Sequence, residues 1–258
     1  MNFTFTTLGT ASARPIANQF PSAHLVTVGG RLFLIDCGEG VQIQLIRSKV
    51  SIIKIDNIFI SHLHGDHVFG LFGLLYTMDM IGRLSPLHIY SPKGIKEVVD
   101  AIIERFGIIK YEIVYHTIDC SEPTKILEFN KLEISAFPLN HRIEGYGFIF
   151  KGTWRDNPRS LAYCSDTAPC KELERWLQGV SLLYHEATYA QDNKLLAKKT
   201  NHSTARDAAK LASKIGAKSL VIGHFSSRYK DLNLLLDEVK EFFESTFLAK
   251  EGMIFEVE

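Results

Sequence analysis

The stretch Ser61-His62-Leu63-His64-Gly65-Asp66-His67 decides how this chain is read. Three histidines and an aspartate crowd together directly after the apolar run Ile55-Asp56-Asn57-Ile58-Phe59-Ile60. Neutral imidazole and carboxylate are the donors that borderline divalent cations such as zinc take. A strand end followed by a tight turn at Gly65 aims these side chains into one cleft. The competing reading is a solvated, histidine-rich surface turn. The density of H-x-H-x-D-H behind a buried strand argues against it.

Around this stretch the chain alternates strands and helices. Strands are expected at Asn2–Leu8, His24–Val28 and Arg31–Asp36, the last two joined at Gly29-Gly30, a hairpin signal. A helix over Gly40–Ser48 precedes the strand Ile55–Ile60. Phe69–Ile81, apolar nearly all round, reads as a buried helix. The strand Leu87–Tyr90 and the amphipathic helix Ile95–Phe106 follow. Beyond residues 107–110 the alternation repeats, with strands at Tyr111–Ile118, Leu132–Leu139, Gly145–Lys151 and Ser160–Cys164. A short helix at Cys170–Leu177 then leads to the strand Ser181–Tyr184. Ser203 is the expected N-cap of a helix running to Ile215, with Gly216 at its C-cap. Strand Ser219–Ile222, a long helix Leu232–Leu248 and a closing strand Met253–Val257 complete the reading. Two strand-rich halves with no linker predict a single domain, 1–258, of sheet packed on sheet with helices outside.

Composition sets the bounds. Hydrophobic residues make up 46% of the 258 positions, ample for a large core, and Lys+Arg balances Asp+Glu at 29 each. No global basic field advertises a nucleic-acid partner, although a local patch stays open. Cys37, Cys120, Cys164 and Cys170 include no C-x-x-C pair and read as thiols of a reducing compartment. The N-terminal residues lack a basic segment and a cleavage site, and no apolar run reaches the ~18 residues of a membrane span. Cytoplasm is the expected location, with no membrane partner.

Further metal donors must come from later in the chain. Three isolated candidates each follow an expected strand: His141 after Ala136–Asn140, Asp166 after Leu161–Ser165, and His224 after Leu220–Gly223. Singly, a histidine after a strand is more often structural, and an aspartate there is commonly a turn residue. The recurrence of one arrangement in three places is the signal. With His62, His64, Asp66 and His67 these fill two metal sites, and two metals ~3.5–4 Å apart support hydrolysis. Asp36, ending the strand Leu32–Ile35, either caps a turn or orients a ligand.

With these motifs in place, the chain resembles the metallo-β-lactamase superfamily along its whole length, and within it the ribonuclease Z family. The resemblance is carried by Leu8-Gly9-Thr10, Phe33–Glu39, Ser91-Pro92-Lys93-Gly94, the H-E-A-T box His185–Thr188, His202-Ser203-Thr204 and His224-Phe225-Ser226-Ser227-Arg228-Tyr229. It implies an α/β fold, a four-layer αββα sandwich. It implies two zinc ions, or manganese or iron, one on His62, His64 and His141, the other on Asp66, His67 and His224, bridged by Asp166. Asp36 would orient the ligands. Glu186 and His202 would serve proton transfer to the leaving group, Asp66 would orient or deprotonate the attacking water, and Arg228 would contact phosphate. The competing readings are His202 as a neighbour of a helix cap, Glu186 as a surface acid and Arg228 as a salt-bridge residue. The implied activity is removal of 3′ trailers from precursor tRNA by a homodimer.

Two departures keep an alternative open. Only 24 residues separate His141 from Asp166, where the family usually inserts a long arm that grips the tRNA body. Gly152–Arg159 there reads as a hairpin loop, an ordinary turn in preference to a site where Trp154, with Arg155 and Arg159, stacks on a base. The early loop Pro15-Ile16-Ala17-Asn18-Gln19-Phe20 lacks the basic residues of the family's P-x-K-x-R-N run. The alternative is a metal-dependent hydrolase of a small phosphodiester, such as a cyclic nucleotide, or of a sulfate ester. A non-catalytic metal-binding protein is disfavoured because no ligand position has decayed.

Overall fold

The computed structural model describes residues 2–107, 109–154 and 157–258, apart from the side chain of Trp154. In chain order its elements are β1 (Phe3–Gly9), β2 (Ala23–Val28), β3 (Arg31–Ile35), α1 (Val41–Arg47), β4 (Ile55–Phe59), α2 (Gly65–Met80), β5 (Leu87–Ser91), α3 (Ile95–Phe106) and β6 (Ile113–Thr117). There follow β7 (Thr124–Phe129), β8 (Leu132–Pro138), β9 (Tyr146–Trp154), β10 (Asn157–Cys164), α4 (Lys171–Trp176), β11 (Leu182–Glu186), α5 (Lys194–Thr200), α6 (Ala205–Lys214), β12 (Ser219–Gly223), α7 (Asn233–Lys240), β13 (Thr246–Leu248) and β14 (Ile254–Glu256). They fall into two compact units, residues 1–119 with 250–256 and residues 120–249 with 257–258.

The first unit is built on a seven-stranded sheet, β14-β1-β2-β3-β4-β5-β6. Its first joins are antiparallel and the joins from β3 to β6 parallel. Parallel neighbours need crossovers, and α1, α2 and α3 supply them. Leu8, Leu25, Leu34, Ile58 and Ile89 of the strands pack with Leu45, Leu71, Leu74, Leu75, Met78 and Val99 of the helices. Arg83 is almost completely buried. Its guanidinium donates to the carbonyls of Ile53, Ile55, Ser85 and Pro86 and to Asp56 Oδ1, pinning the exit of α2 to the start of β4.

The second unit repeats the plan with the order β13-β12-β11-β10-β9-β8-β7. Here β7 to β10 are antiparallel hairpins and β10 to β13 are parallel. Ala162, Leu183, Leu220 and Ile222 pack with Leu173, Ala208, Ala212, Leu235 and Val239 of the helices. Parallel sheets expose loops at the carboxyl ends of their strands, where ligands collect. The residues after β3, β4, β10, β11 and β12 are those the sequence singles out.

Several expectations are corrected. Residues 113–117 and 254–256 join the first sheet, so the division falls at Asp119/Cys120 rather than near 107–110. The long helix expected over 232–248 ends at Lys240, because residues 246–248 pair with β12 as an edge strand. The strand Thr124–Phe129 and the helix Lys194–Thr200 were not anticipated. The segment 152–159 is not an open loop. Gly152 pairs with Arg159, Thr153 with Pro158 and Trp154 with Asn157, so the ladder of β9 and β10 extends through its described residues. The Trp154 side chain and Arg155 named in that segment lie outside the described residues. No helix among the described residues is long and apolar enough to cross a membrane.

Candidate metal centre

In the first unit, the histidine loop is placed by two backbone contacts that only glycine permits. Helix α2 begins at Gly65, one turn earlier than the pattern indicated, with His64 as N-cap. Asp66 and His67 therefore sit in its first turn. Cys37 N–H donates to His67 O at 2.7 Å and Gly70 N–H to Cys37 O at 2.8 Å. A Cβ on Gly70 would stand 2.1 Å from the Gly38 carbonyl oxygen, and one on Gly38 would stand 2.6 Å from Asp66 O. The helix start is locked against the turn after β3.

That turn carries Asp36, whose φ of 58° is left-handed, a region a short acid tolerates better than most side chains. Asp36 Oδ1 accepts from Ser61 N–H at 2.7 Å, and Oδ2 accepts from Ser61 Oγ–H and from His67 Nδ1–H, each at 2.9 Å. Full burial alone would raise its pKa. The charge and hydrogen bond of His67, the Ser61 amide and His62 outweigh burial and hold the carboxyl below its ordinary range. Ser61 Oγ also lies 3.0 Å from His62 Nδ1. With Oγ–H committed to Asp36, it accepts from His62 Nδ1–H. The lone-pair nitrogens of His62 and His67 are then Nε2. His62 Nε2 stands 3.0 Å from His64 Nδ1, and His67 Nε2 stands 3.6 Å from Asp66 Oδ2. Asp66 Oδ2 also accepts from Ala13 N–H at 2.8 Å.

In the second unit the same device recurs. His224 follows β12 with a left-handed φ of 57°. Its Nδ1–H donates to Thr188 Oγ1 at 2.9 Å, and Thr188 Oγ1–H donates to Glu186 Oε2 at 2.7 Å. His224 Nε2 is left facing Asp166 Oδ1 at 3.2 Å. His141 Nδ1–H donates to Asn201 O at 2.9 Å, and its Nε2 is 3.9 Å from Asp166 Oδ2. Burial lowers the pKa of His141 against the opposing pull of Asp166, which keeps it in the neutral form a metal requires.

Glu186 is completely buried. Its Oε1 accepts from Thr167 N–H, Ser203 N–H and His202 Nδ1–H at 3.1, 3.0 and 2.8 Å, and its Oε2 from the Thr188 N–H and hydroxyl at 3.0 and 2.7 Å. Burial would raise its pKa, but His202 overrides that and lowers it. Conversely, burial lowers the pKa of His202, while the Glu186 charge and hydrogen bond, with Asp166 behind them, raise it to about 9. His202 Nε2 is 4.0 Å from Asp166 Oδ2. The readings of Glu186 as a surface acid and of His202 as a mere cap neighbour do not survive. The cap of α6 is Thr204, in a capping box with Asp207, and not Ser203, whose hydroxyl donates to Thr167 O instead.

Residues 31–225 match the beta-lactamase superfamily domain family. Ribonuclease Z of Bacteroides fragilis is 37% identical, over 95% of this chain and 96% of that protein, and ribonuclease Z of Porphyromonas gingivalis likewise. The chain belongs to the ribonuclease Z family. The crystal structure of human tRNase Z, short form (ELAC1), superposes with a TM-score of 0.86 at 29% identity over 99% of both chains. The Bacillus subtilis metallo-β-lactamase fold protein YhfI gives 0.84 at 21% identity over 99% of this chain, a likeness of fold alone. The fold is thus α/β of the metallo-β-lactamase type, and the enzyme class of this ribonuclease Z family member is hydrolase. The Bacteroides fragilis alignment runs over 292 positions against 258 residues here, so that relative carries segments this chain lacks.

The donor set of this family member fits a divalent metal. His62, His67, His141 and His224 each commit Nδ1–H to an oxygen, which turns Nε2 to the role a metal-binding histidine needs, the arrangement second-sphere oxygens impose at metal sites. In the second unit Asp166, His202 and His224 bring donor atoms within 4.8 Å of one another. Arg228 is exposed. Its guanidinium stands 5.1 Å over the Tyr189 ring, donates to Ser226 Oγ and Asn193 Oδ1, and forms no ion pair among the described residues. The hydroxyls of Ser61 and Thr188 were missed in the sequence although both lie beside motif residues. For Ser61 the available signal was the adjacent His62, and for Thr188 its place at the end of the H-E-A-T box.

Proposed function

We propose that this hydrolase is a dinuclear metal-dependent endoribonuclease that removes 3′ trailers from precursor tRNA, working in the cytoplasm as one metallo-β-lactamase-like domain of 258 residues. The carrying observation is the buried Glu186–His202 pair with His202 Nε2 turned toward Asp166, in a chain 37% identical to ribonuclease Z. By family resemblance, His62, His64 and His141 would hold one zinc and Asp66, His67 and His224 the other, with Asp166 available to both; manganese or iron would suit the same donors. When bound, the metals polarise the phosphodiester and lower the pKa of water.

The chain's own residues do the rest. Asp66, fixed through the Ala13 amide, orients the attacking water and takes its proton. As the phosphorus–oxygen bond to the leaving group breaks, His202 Nε2 delivers a proton to the departing oxygen. Glu186 is saturated with hydrogen bonds and stays ionised; it keeps His202 charged and aimed. A histidinium with a pKa near 9 is protonated at neutral pH, as a general acid must be. Arg228, anchored over Tyr189, contacts a substrate phosphate.

Zinc- or manganese-loaded protein is expected to release the trailer from a precursor tRNA, and Asp66→Ala to abolish release. An uncut trailer at low salt alongside rapid turnover of a chromogenic phosphodiester or sulfate ester would favour the alternative substrate class. The uncharged early loop Pro15–Phe20 and the short span from His141 to Asp166 are the observations behind that alternative. A homodimer is also proposed. Ile43 and Ile46 of α1 and Phe69 and Met80 of α2 are exposed on helices joined through Gln42, whose Nε2 donates to Gly73 O. Light scattering at micromolar concentration tests it.

A further inference from the structure

With the early basic loop absent and the chain electrically balanced, the phosphate charge of an RNA substrate must be met elsewhere. Helix α5 offers the place. Lys194, Lys198 and Lys199 are exposed; at about 100° per residue Lys194 and Lys198 stand roughly 40° apart around the helix and Lys199 about 100° further round, an arc that leaves out buried Ala197. None forms an ion pair or side-chain hydrogen bond among the described residues. The adjacent Asp192 accepts instead from Asn193 Nδ2. Lysines in a last turn suit the helix dipole, which accounts for Lys198 and Lys199. Lys194, at the positive end of the same helix, is placed against the dipole, so helix stability does not explain it.

This helix is joined to the reacting groups. His202 N–H donates to Ala197 O at 2.9 Å, and Asn201, the left-handed C-cap of α5, presents its carbonyl to His141 Nδ1. Exposed Arg142 follows His141 directly, so the loop tied to the end of α5 carries a further cation.

We propose that the exposed face of α5, Lys194, Lys198 and Lys199 continued by Arg142, is the surface that holds the phosphate backbone of the RNA substrate beside His202. The inference rests on the endoribonuclease reading above. It assigns part of the binding that a long arm supplies elsewhere to a seven-residue helix.

The test uses metal-loaded full-length protein, with Lys194, Lys198 and Lys199 changed together to alanine or together to arginine. Precursor tRNA binding is followed by fluorescence anisotropy and cleavage by KM and kcat, both from 50 to 300 mM salt, with a chromogenic phosphodiester in parallel. Each phosphate contact contributes about 0.7–0.9 to the slope of log affinity against log salt. The alanine variant is expected to lose about 2–3 from that slope and to raise the RNA KM roughly 10-fold or more, with small-substrate turnover unchanged. The arginine variant is expected to keep RNA binding. An unchanged slope and KM in the alanine variant would overturn the proposal, as would an equal loss on the small substrate, which would place the charges at the chemical step. Wild-type protein that binds RNA without cleaving it would refute the endoribonuclease reading alone, since the slope comparison still reports on the surface.

Discussion

Replacing Glu186 by glutamine removes a charge and one acceptor while keeping the shape of the side chain. Of its five hydrogen bonds, three converge on Oε1 and two on Oε2. The amide nitrogen does least harm on the Oε2 side, where the Thr188 hydroxyl can turn to accept but the Thr188 N–H faces another donor. A buried donor left unpaired costs about 1–3 kcal/mol, and losing a charge-assisted bond about 1.5–3 kcal/mol. The expected destabilisation is therefore about 3–5 kcal/mol, a fall in melting temperature of roughly 10 °C. The larger effect is on His202. Without the carboxylate, burial pulls its pKa down from about 9 toward or below its ordinary 6.5, so little acid is present at pH 7.5. A general acid is worth roughly 10²–10⁴ in rate, and kcat should fall by about that factor, less at pH 5.5 than at pH 8. The stability contribution follows the same logic. His202, with its pKa raised in the folded state, stabilises fully below pH 6.5, and the effect fades as pH rises through about 9. In Glu186→Gln that alkaline decline should vanish. Because Glu186 acts through His202, adding Glu186→Gln to His202→Asn should cost little further rate. A Glu186→Gln enzyme with wild-type kcat and an unshifted alkaline limb would refute this account.

Thr188→Val deletes the hydroxyl that fixes His224. Competition with a chromogenic chelator should show metal affinity about 10–100-fold weaker, with Thr188→Ser restoring it. Gly70→Ala would push a methyl against Gly38 O, at 2.1 Å in the undisturbed backbone. We expect roughly 3 kcal/mol of lost stability and reduced metal content by elemental analysis, because Asp66 and His67 ride on the displaced turn. Arg83→Met removes the donors that satisfy Ile53, Ile55, Ser85, Pro86 and Asp56. Calorimetry should show a loss of about 3–5 kcal/mol, with kcat unaltered in the folded fraction.

The candidate donors stand out in the sequence because metal chemistry restricts residue type and because each follows an apolar strand, which sequence reveals well. Asp36, His62, His64, Asp66, His67, His141, Asp166 and His224 all lie at or just beyond strand ends. Less legible was anything depending on backbone proximity. Gly38 and Gly70 look like ordinary glycines until the helix start is seen against the turn after β3. Ser203 reads as the cap on local preference, but Thr204 takes that place in a capping box with Asp207, while the Ser203 hydroxyl donates to Thr167 O. Residues 241–248 carry apolar pairs at helical spacing, yet hydrogen bonding to β12 takes 246–248 as an edge strand. The short helix α5 shows no apolar periodicity, since its outward face carries Leu195 among lysines.

The pairing of β1 with β14 joins segments from opposite ends of the chain; the Thr7 hydroxyl donates to Lys250 O across 243 positions. During synthesis the edge of β1 therefore waits, with unpaired amides and carbonyls, until residues 254–256 have emerged, long after the histidine loop and its sheet neighbours. Such a wait exposes an adhesive strand edge, so removal of residues 250–256 should leave a chain prone to self-association.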